Sequence, residues 1–126
     1  MKQPDQPQNR RDPRVYLLDI RQAIDLVSAA VQDKALPDYE RDAILRSAVE
    51  RQFITVGEAL MQMLRFTPEL QVRISHTRQI IAFRNILVHG YADIAHDVVW
   101  AAAQEDLPVL RCEVDALLRE PGDAER

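Results

Sequence analysis

The sequence predicts an all-α fold: a single-domain helical bundle of four to five helices. Three observations predict it. Apolar residues recur at spacings of three and four along most of the chain. No stretch alternates with the period of two that a half-buried strand requires. The apolar stripes are interrupted at segments such as Leu36-Pro37-Asp38, Thr67-Pro68-Glu69 and Pro121-Gly122, whose prolines and glycine stop helices.

Residues 1–12 are polar and contain prolines, so they read as a loose arm. Asp12-Pro13 then combines a capping carboxylate with a proline at the first helical position. Leu17, Ile20, Ile24, Val27 and Val31 form the apolar stripe of the helix that follows. Asp38 can cap a long second helix, marked by Leu45, Val49, Val56, Leu60 and Met63 and ending near Arg65. Thr67-Pro68-Glu69 opens a third helical region, in which Ile80, Ile81, Ile86 and Leu87 supply apolar surface. Ala92-Asp93 opens the last region, carrying Ile94, Val98, Trp100 and Ala101. Pro108 should kink or split it, with Asp106 as a possible cap for Leu110, Val114, Leu117 and Leu118. The helical domain therefore spans 13–120, and 121–126 form a polar tail.

Composition narrows the function classes. A chain of 126 residues fits one domain and buries roughly two-thirds of its unfolded surface, enough for a real core. No apolar run approaches the ~18 residues of a membrane span, and the N-terminus lacks the apolar stretch of a signal peptide. A cytoplasmic protein with no membrane contact is expected, with the single Cys112 as a packed thiol. The net charge of −4 argues against avid, sequence-blind nucleic-acid binding. Of the 16 basic residues only Lys2 and Lys34 are lysines, and arginine suits local phosphate contacts and ion pairs. His76, His89 and His96 do not fall at a helical ligand spacing, no Glu-x-x-His pair exists, and no glycine-rich phosphate loop or serine nucleophile elbow is present. No metal or cofactor is expected.

The chemistry concentrates in Ala82-Phe83-Arg84-Asn85-Ile86-Leu87-Val88-His89-Gly90-Tyr91. Arg84 supplies a forked, permanent cation suited to phosphate. Histidine is the side chain that both takes and gives a proton near neutrality, which makes His89 the acid–base candidate. Asn85 and His89, four apart, share one helix face. Arg84 lies about 140° from His89 around a helix. One straight helix does not aim both at the same atom. Arg84 must reach around, or the helix must distort near Gly90, or a second copy must complete the site. Gly90 is a natural helix stop. Read blandly, the same residues are a solvated arginine, a capping or core histidine and an amphipathic tyrosine.

Gly57-Glu58 lies inside the second helix. A mid-helix glycine costs about 1 kcal/mol against alanine. It marks either a close helix–helix contact, including a dimer seam, or a tolerated glycine. Glu58 is either solvated or orients an arginine from the motif region.

Arg84-Asn85-x3-His89-x-Tyr91 resembles the R-x4-H-x-Y signature of HepT-like toxins, all-helical ribonucleases of the HEPN superfamily. The resemblance covers most of the chain. Tyr16-Leu17-Leu18-Asp19-Ile20 is similar to the family's opening helix, Val56-Gly57-Glu58-Ala59 to its G-E-A segment, and Val98-Val99-Trp100 and Leu107-Pro108-x-Leu110 to its closing region. Two departures are Thr77, where the family often has Trp, and Ala82, where it often has Gly. The resemblance implies a metal-independent endoribonuclease toxin that acts on RNA as a two-fold homodimer. His89, Arg84 and Asn85 would be its catalytic residues. It also implies a minimal nucleotidyltransferase antitoxin, MntA, that transfers AMP to Tyr91; ATP and Mg2+ would serve that partner only. The competing reading is a non-catalytic helical subunit that holds substrate or nucleotide for a nucleotidyltransferase.

Overall fold

The computed structural model describes residues 12–90 and 94–121. They form six α-helices: α1 (Pro13–Val31), α2 (Leu36–Arg41), α3 (Ala43–Phe66), α4 (Thr77–His89), α5 (His96–Ala101) and α6 (Leu107–Leu118). A 3-10 helix (Pro68–Arg73) joins α3 to α4, and a π-helical segment (Ala102–Asp106) joins α5 to α6. No strand occurs among the described residues. The fold is all-α.

Four helices build the core. α1 packs along α3, α3 along α4, and α1 along α6, while α2 bridges α3 and α5. Every residue of the first two predicted stripes is buried, from Leu17 through Val31 and from Leu45 through Met63. Each such side chain contributes roughly 1.5–3 kcal/mol relative to an exposed one. Ile86 and Val98, also read as apolar surface, stand exposed. Phe53, Tyr39 and Val99 fill the core as well. Cys112 is exposed, which corrects its reading as a packed thiol.

The helix ends follow local chemistry. Asp12 accepts a hydrogen bond from the Arg14 backbone N–H at 2.9 Å, and so caps α1. The expected second helix is divided. Asp42 is extended, and its carboxylate accepts from Leu45 N–H at 3.0 Å, so α2 ends and α3 begins at one residue. Asp38 is not the cap of α2. It sits in the first turn and accepts from Ala35 N–H at 2.8 Å. Pro108 does not break the final helical path. Its ring would clash with the carbonyl of Gln104, four residues back. The preceding turn widens instead: Leu107 N–H reaches Ala102 O, five residues back. Asp106 makes no capping bond to α6.

The expected arm at 1–12 and tail at 121–126 fall largely outside the described residues, as does the expected opening Ala92-Asp93. No described helix is long and apolar enough to cross a membrane.

Tyr39 is fully buried, with its ring tilted against Trp100 at 5.5 Å and edge-on to His96 at 6.3 Å. Among the described residues its hydroxyl has no hydrogen-bond partner. Burial pushes its pKa up to about 12; Glu50 adds to the rise and Arg46 opposes it. Unfolded, the phenol ionises from its ordinary value of 10.0. Between those values the unfolded chain holds fewer protons, so stability falls as pH rises. The loss reaches about 2 kcal/mol at the upper end. Tyr39→Phe should leave denaturant stability at neutral pH equal or higher, because it removes an unpaired buried hydroxyl, and should flatten the alkaline decline. Guanidinium titrations at pH 8 and pH 11 measure both effects.

At Gly57 α3 and α4 approach closely. A Cβ placed there would stand 2.3 Å from Arg84 Cβ and 2.7 Å from Arg84 Cγ. Those atoms belong to the base of the side chain, which cannot swing away. Gly57→Ala should therefore destabilise, because overpacking of about 1–3 kcal/mol exceeds the ~1 kcal/mol gained in helix propensity. A melting temperature at or above wild type would show that α3 and α4 separate at no cost.

Candidate functional site

The motif residues lie on α4, and the helix ends explain their placement. His76 precedes it in a left-handed conformation (φ 59°), and the Thr77 hydroxyl donates to Ile74 O at 3.0 Å. Gly90 stops the helix with φ 76°, a backbone that glycine adopts readily, and its N–H reaches Ile86 O at 3.3 Å. The helix is regular through His89. It does not distort to swing Arg84 toward the histidine.

Arg84 lies on the side of α4 that packs against α3. Its stem rests on Gly57, and its side chain is 20 % exposed. The guanidinium is held at both ends of its fork. Nη2 donates to Glu58 Oε2 at 3.0 Å and Nη1 donates to Asn85 Oδ1 at 2.8 Å. Nε is buried and has no partner among the described residues. Behind the arginine, Phe83 meets Phe53 edge-on at 5.0 Å, which fixes the depth at which α4 seats. Gly57 is thus a close helix–helix contact within one chain, and Glu58 orients the motif arginine.

This clamp also settles the orientation of Asn85. A guanidinium can only donate, so the amide atom facing it must be Oδ1. The two Nδ2 protons then face away from Arg84. Asn85 and His89 are both exposed, one turn apart on the same face. The arrangement joins a held cation, an oriented amide donor and an exposed imidazole over one and a half turns of helix. Tyr91 lies outside the described residues.

Sequence spacing held one further signal that the motif reading passed over. Arg78, Asn85 and His89 follow at intervals of seven and four. They lie within about 40° of one another around α4, and all three are exposed. No cluster of three His, Cys, Asp or Glu side chains that could hold a metal occurs among the described residues.

Residues 20–117 match a family model described as Ribonuclease HepT-like. A Thermococcus cleftensis protein named "Probable ribonuclease HepT" is 28% identical over 108 residues, covering 86% of this chain and 97% of that protein. A Methanocaldococcus jannaschii protein named "Gamma-glutamylcyclotransferase and putative RNase" is 26% identical over 113 residues, covering 88% of this chain. The chain spans 50% of that relative's length. A Caldanaerobacter subterraneus protein named "Putative RNase" is 24% identical over 109 residues, covering 86% of this chain and 96% of that protein. No solved structure matches. With the family model spanning most of α1 through α6, the chain belongs to the HepT-like ribonuclease family.

Proposed function

We propose that this chain is a toxin endoribonuclease that cleaves RNA without a metal. The observation that carries the reading is the Arg84 fork, fixed between Glu58 and Asn85 and about one and a half turns from an exposed histidine. A base removes the proton of a ribose 2′-OH, and the 2′-oxygen attacks the adjacent phosphorus. The bond to the 5′-oxygen breaks, and an acid returns a proton to that oxygen. The products are a 2′,3′-cyclic phosphate and a 5′-hydroxyl. His89 serves as acid or base, Arg84 holds the phosphate and the charge that grows on it, and Asn85 Nδ2 donates to a phosphate oxygen.

Two proton transfers need an acceptor and a donor. One α4 offers a single imidazole on the face that carries Asn85. A two-fold homodimer supplies the second, and it also answers the roughly 140° between Arg84 and His89 on one helix.

The proposed regulation is covalent. A nucleotidyltransferase antitoxin of the MntA type joins the Tyr91 phenol oxygen to the α-phosphorus of ATP and releases pyrophosphate. The AMP adds bulk and a phosphodiester anion two residues from His89, where it repels RNA phosphate. ATP and Mg2+ belong to that partner's reaction.

The first test is RNA cleavage by partner-free protein in EDTA. Wild type should leave cyclic-phosphate ends. His89→Ala should lower kcat by on the order of 10²-fold or more. Glu58→Gln should change stability by less than about 1 kcal/mol, since the pair is partly exposed, yet lower activity by loosening Arg84. No cleavage by folded, unmodified wild type would favour the substrate-holding subunit instead. A second test is growth. Tyr91→Phe should be toxic even with the antitoxin co-expressed, and normal growth with both proteins would remove modification as the essential control.

A further inference from the structure

Among the described residues, clefts of opposite charge flank α4 on two sides. One is lined by Phe53, Phe83 and Leu107 with Asp97, Glu105 and Asp106, and includes no basic side chain. The other, of about 410 Å³, lies between the end of α3, the 3-10 helix and the start of α4. Arg65, Arg78, Gln71 and Thr77 are its polar lining, and no carboxylate lines it among the described residues. Both arginines are exposed, and neither makes an ion pair or side-chain hydrogen bond among the described residues. Arg21, Arg73, Arg84 and Arg111 in contrast each pair with a carboxylate.

Arg78 is also poorly placed for stability. It stands in the first turn of α4, where the helix dipole is positive and a cation is unfavourable by roughly 0.3–1 kcal/mol. That turn contains no acidic residue, and no side chain caps the helix. Of the carboxylates that reach this connection, Glu113 is engaged with the Ser75 N–H and hydroxyl and Glu120 with Arg73, and neither lines the cleft. Two unpaired arginines and a bare helix start thus converge on one concavity, which is an arrangement that an anion would relieve. Sequence choices that oppose local stability concentrate at functional sites.

The ligand follows from position. Arg78 shares the exposed stripe of Asn85 and His89, about 16 Å from His89 along the axis. An anion in this cleft lies in line with the motif, and the acidic cleft lies on the opposite flank.

We propose that the Arg65–Arg78 cleft is a second phosphate-binding subsite for single-stranded RNA. It grips a phosphate remote from the bond cut and feeds the strand along α4 to Asn85 and His89. The subsite rests on the RNA-cleaving reading of the motif but is tested apart from it.

The test uses full-length protein and a short fluorescent single-stranded RNA whose 2′-oxygens are methylated, so that it binds without being cleaved. Affinity is measured across a salt series for wild type, Arg65→Ala, Arg78→Ala and the double variant. The double variant should bind about tenfold more weakly, and its salt slope should fall by about 1.4, the value for two lost phosphate contacts on a single strand. With unmodified RNA, KM should rise while kcat stays within about twofold, as expected for uniform binding. Arg78→Ala should melt no lower than wild type, because it removes a cation from a helix start. Unchanged affinity and slope in the double variant would overturn the subsite, as would losses that only track a lower melting temperature. Wild type that cleaves RNA while the double variant binds normally overturns the subsite alone. Wild type that neither binds nor cleaves overturns both readings. Weakened binding without any cleavage by wild type keeps the subsite and removes the nuclease.

Discussion

The absence of a side chain at Gly57 is the constraint on which the site depends. Only a bare Cα lets the stem of Arg84 lie against α3, and only that depth brings the guanidinium to Glu58. The ion pair itself stabilises little, since Glu58 is half exposed. Its consequence is geometric. Anchored at Nη2, the fork presents Nη1 to Asn85, and the asparagine can answer only with its carbonyl oxygen. One missing methyl on α3 thereby decides which way an amide on α4 points. The Phe53–Phe83 edge contact seats the same helix, and the buried Thr77 hydroxyl ties its first turn to Ile74. Packing, not ion pairing, makes the constellation rigid.

In the proposed reading, the position of α4 within the bundle lets a protein of net charge −4 meet a polyanion. Charge is sorted across the helix. Asp97, Glu105 and Asp106 gather on one flank, and Arg65 and Arg78 on the other. A field of this kind orients a strand more than it attracts one, because exposed charges beyond about 8–10 Å are screened at physiological salt. The π-helical segment contributes to the sorting. The wide turn forced by Pro108 carries Glu105 and Asp106 to the rim of the acidic cleft.

Periodicity made the core legible. Leu17 to Val31 and Leu45 to Met63 are buried because an apolar residue every three or four positions has one packed face available to it. Asp12 and Gly90 were legible for the same local reason, a capping carboxylate before a proline and a glycine at a helix stop. The division of the second helix at Asp42 was not, because aspartate is permitted both inside a helix and at a cap, and tertiary packing of α2 against α5 chooses between them. The π turn was hidden similarly: proline announces a disturbance without saying whether the chain kinks, breaks or widens. Gly57 announced a contact without its partner, whereas Glu58 offered the motif arginine as one of two readings, and the 3.0 Å bond from Arg84, 26 residues on, chooses it. Arg78 was visible in the spacing of its stripe, but an exposed arginine takes meaning only when no carboxylate answers it.

The regular course of α4 through His89 sharpens the chemical argument. Had the helix unwound before Gly90, one chain could have turned Arg84 and His89 toward a common phosphate. It stays helical to its last residue, so the arginine remains tied to α3 while the histidine faces outward. The proposed reaction needs one group to take a proton and another to give one, on opposite sides of a phosphorus atom. A lone α4 offers one imidazole for two transfers. The exposed Ile86 and Val88, at 40% and 44%, lie beside that imidazole. A second copy of the same helix would cover this apolar margin and, in the proposed reaction, bring the second imidazole with the surface it buries.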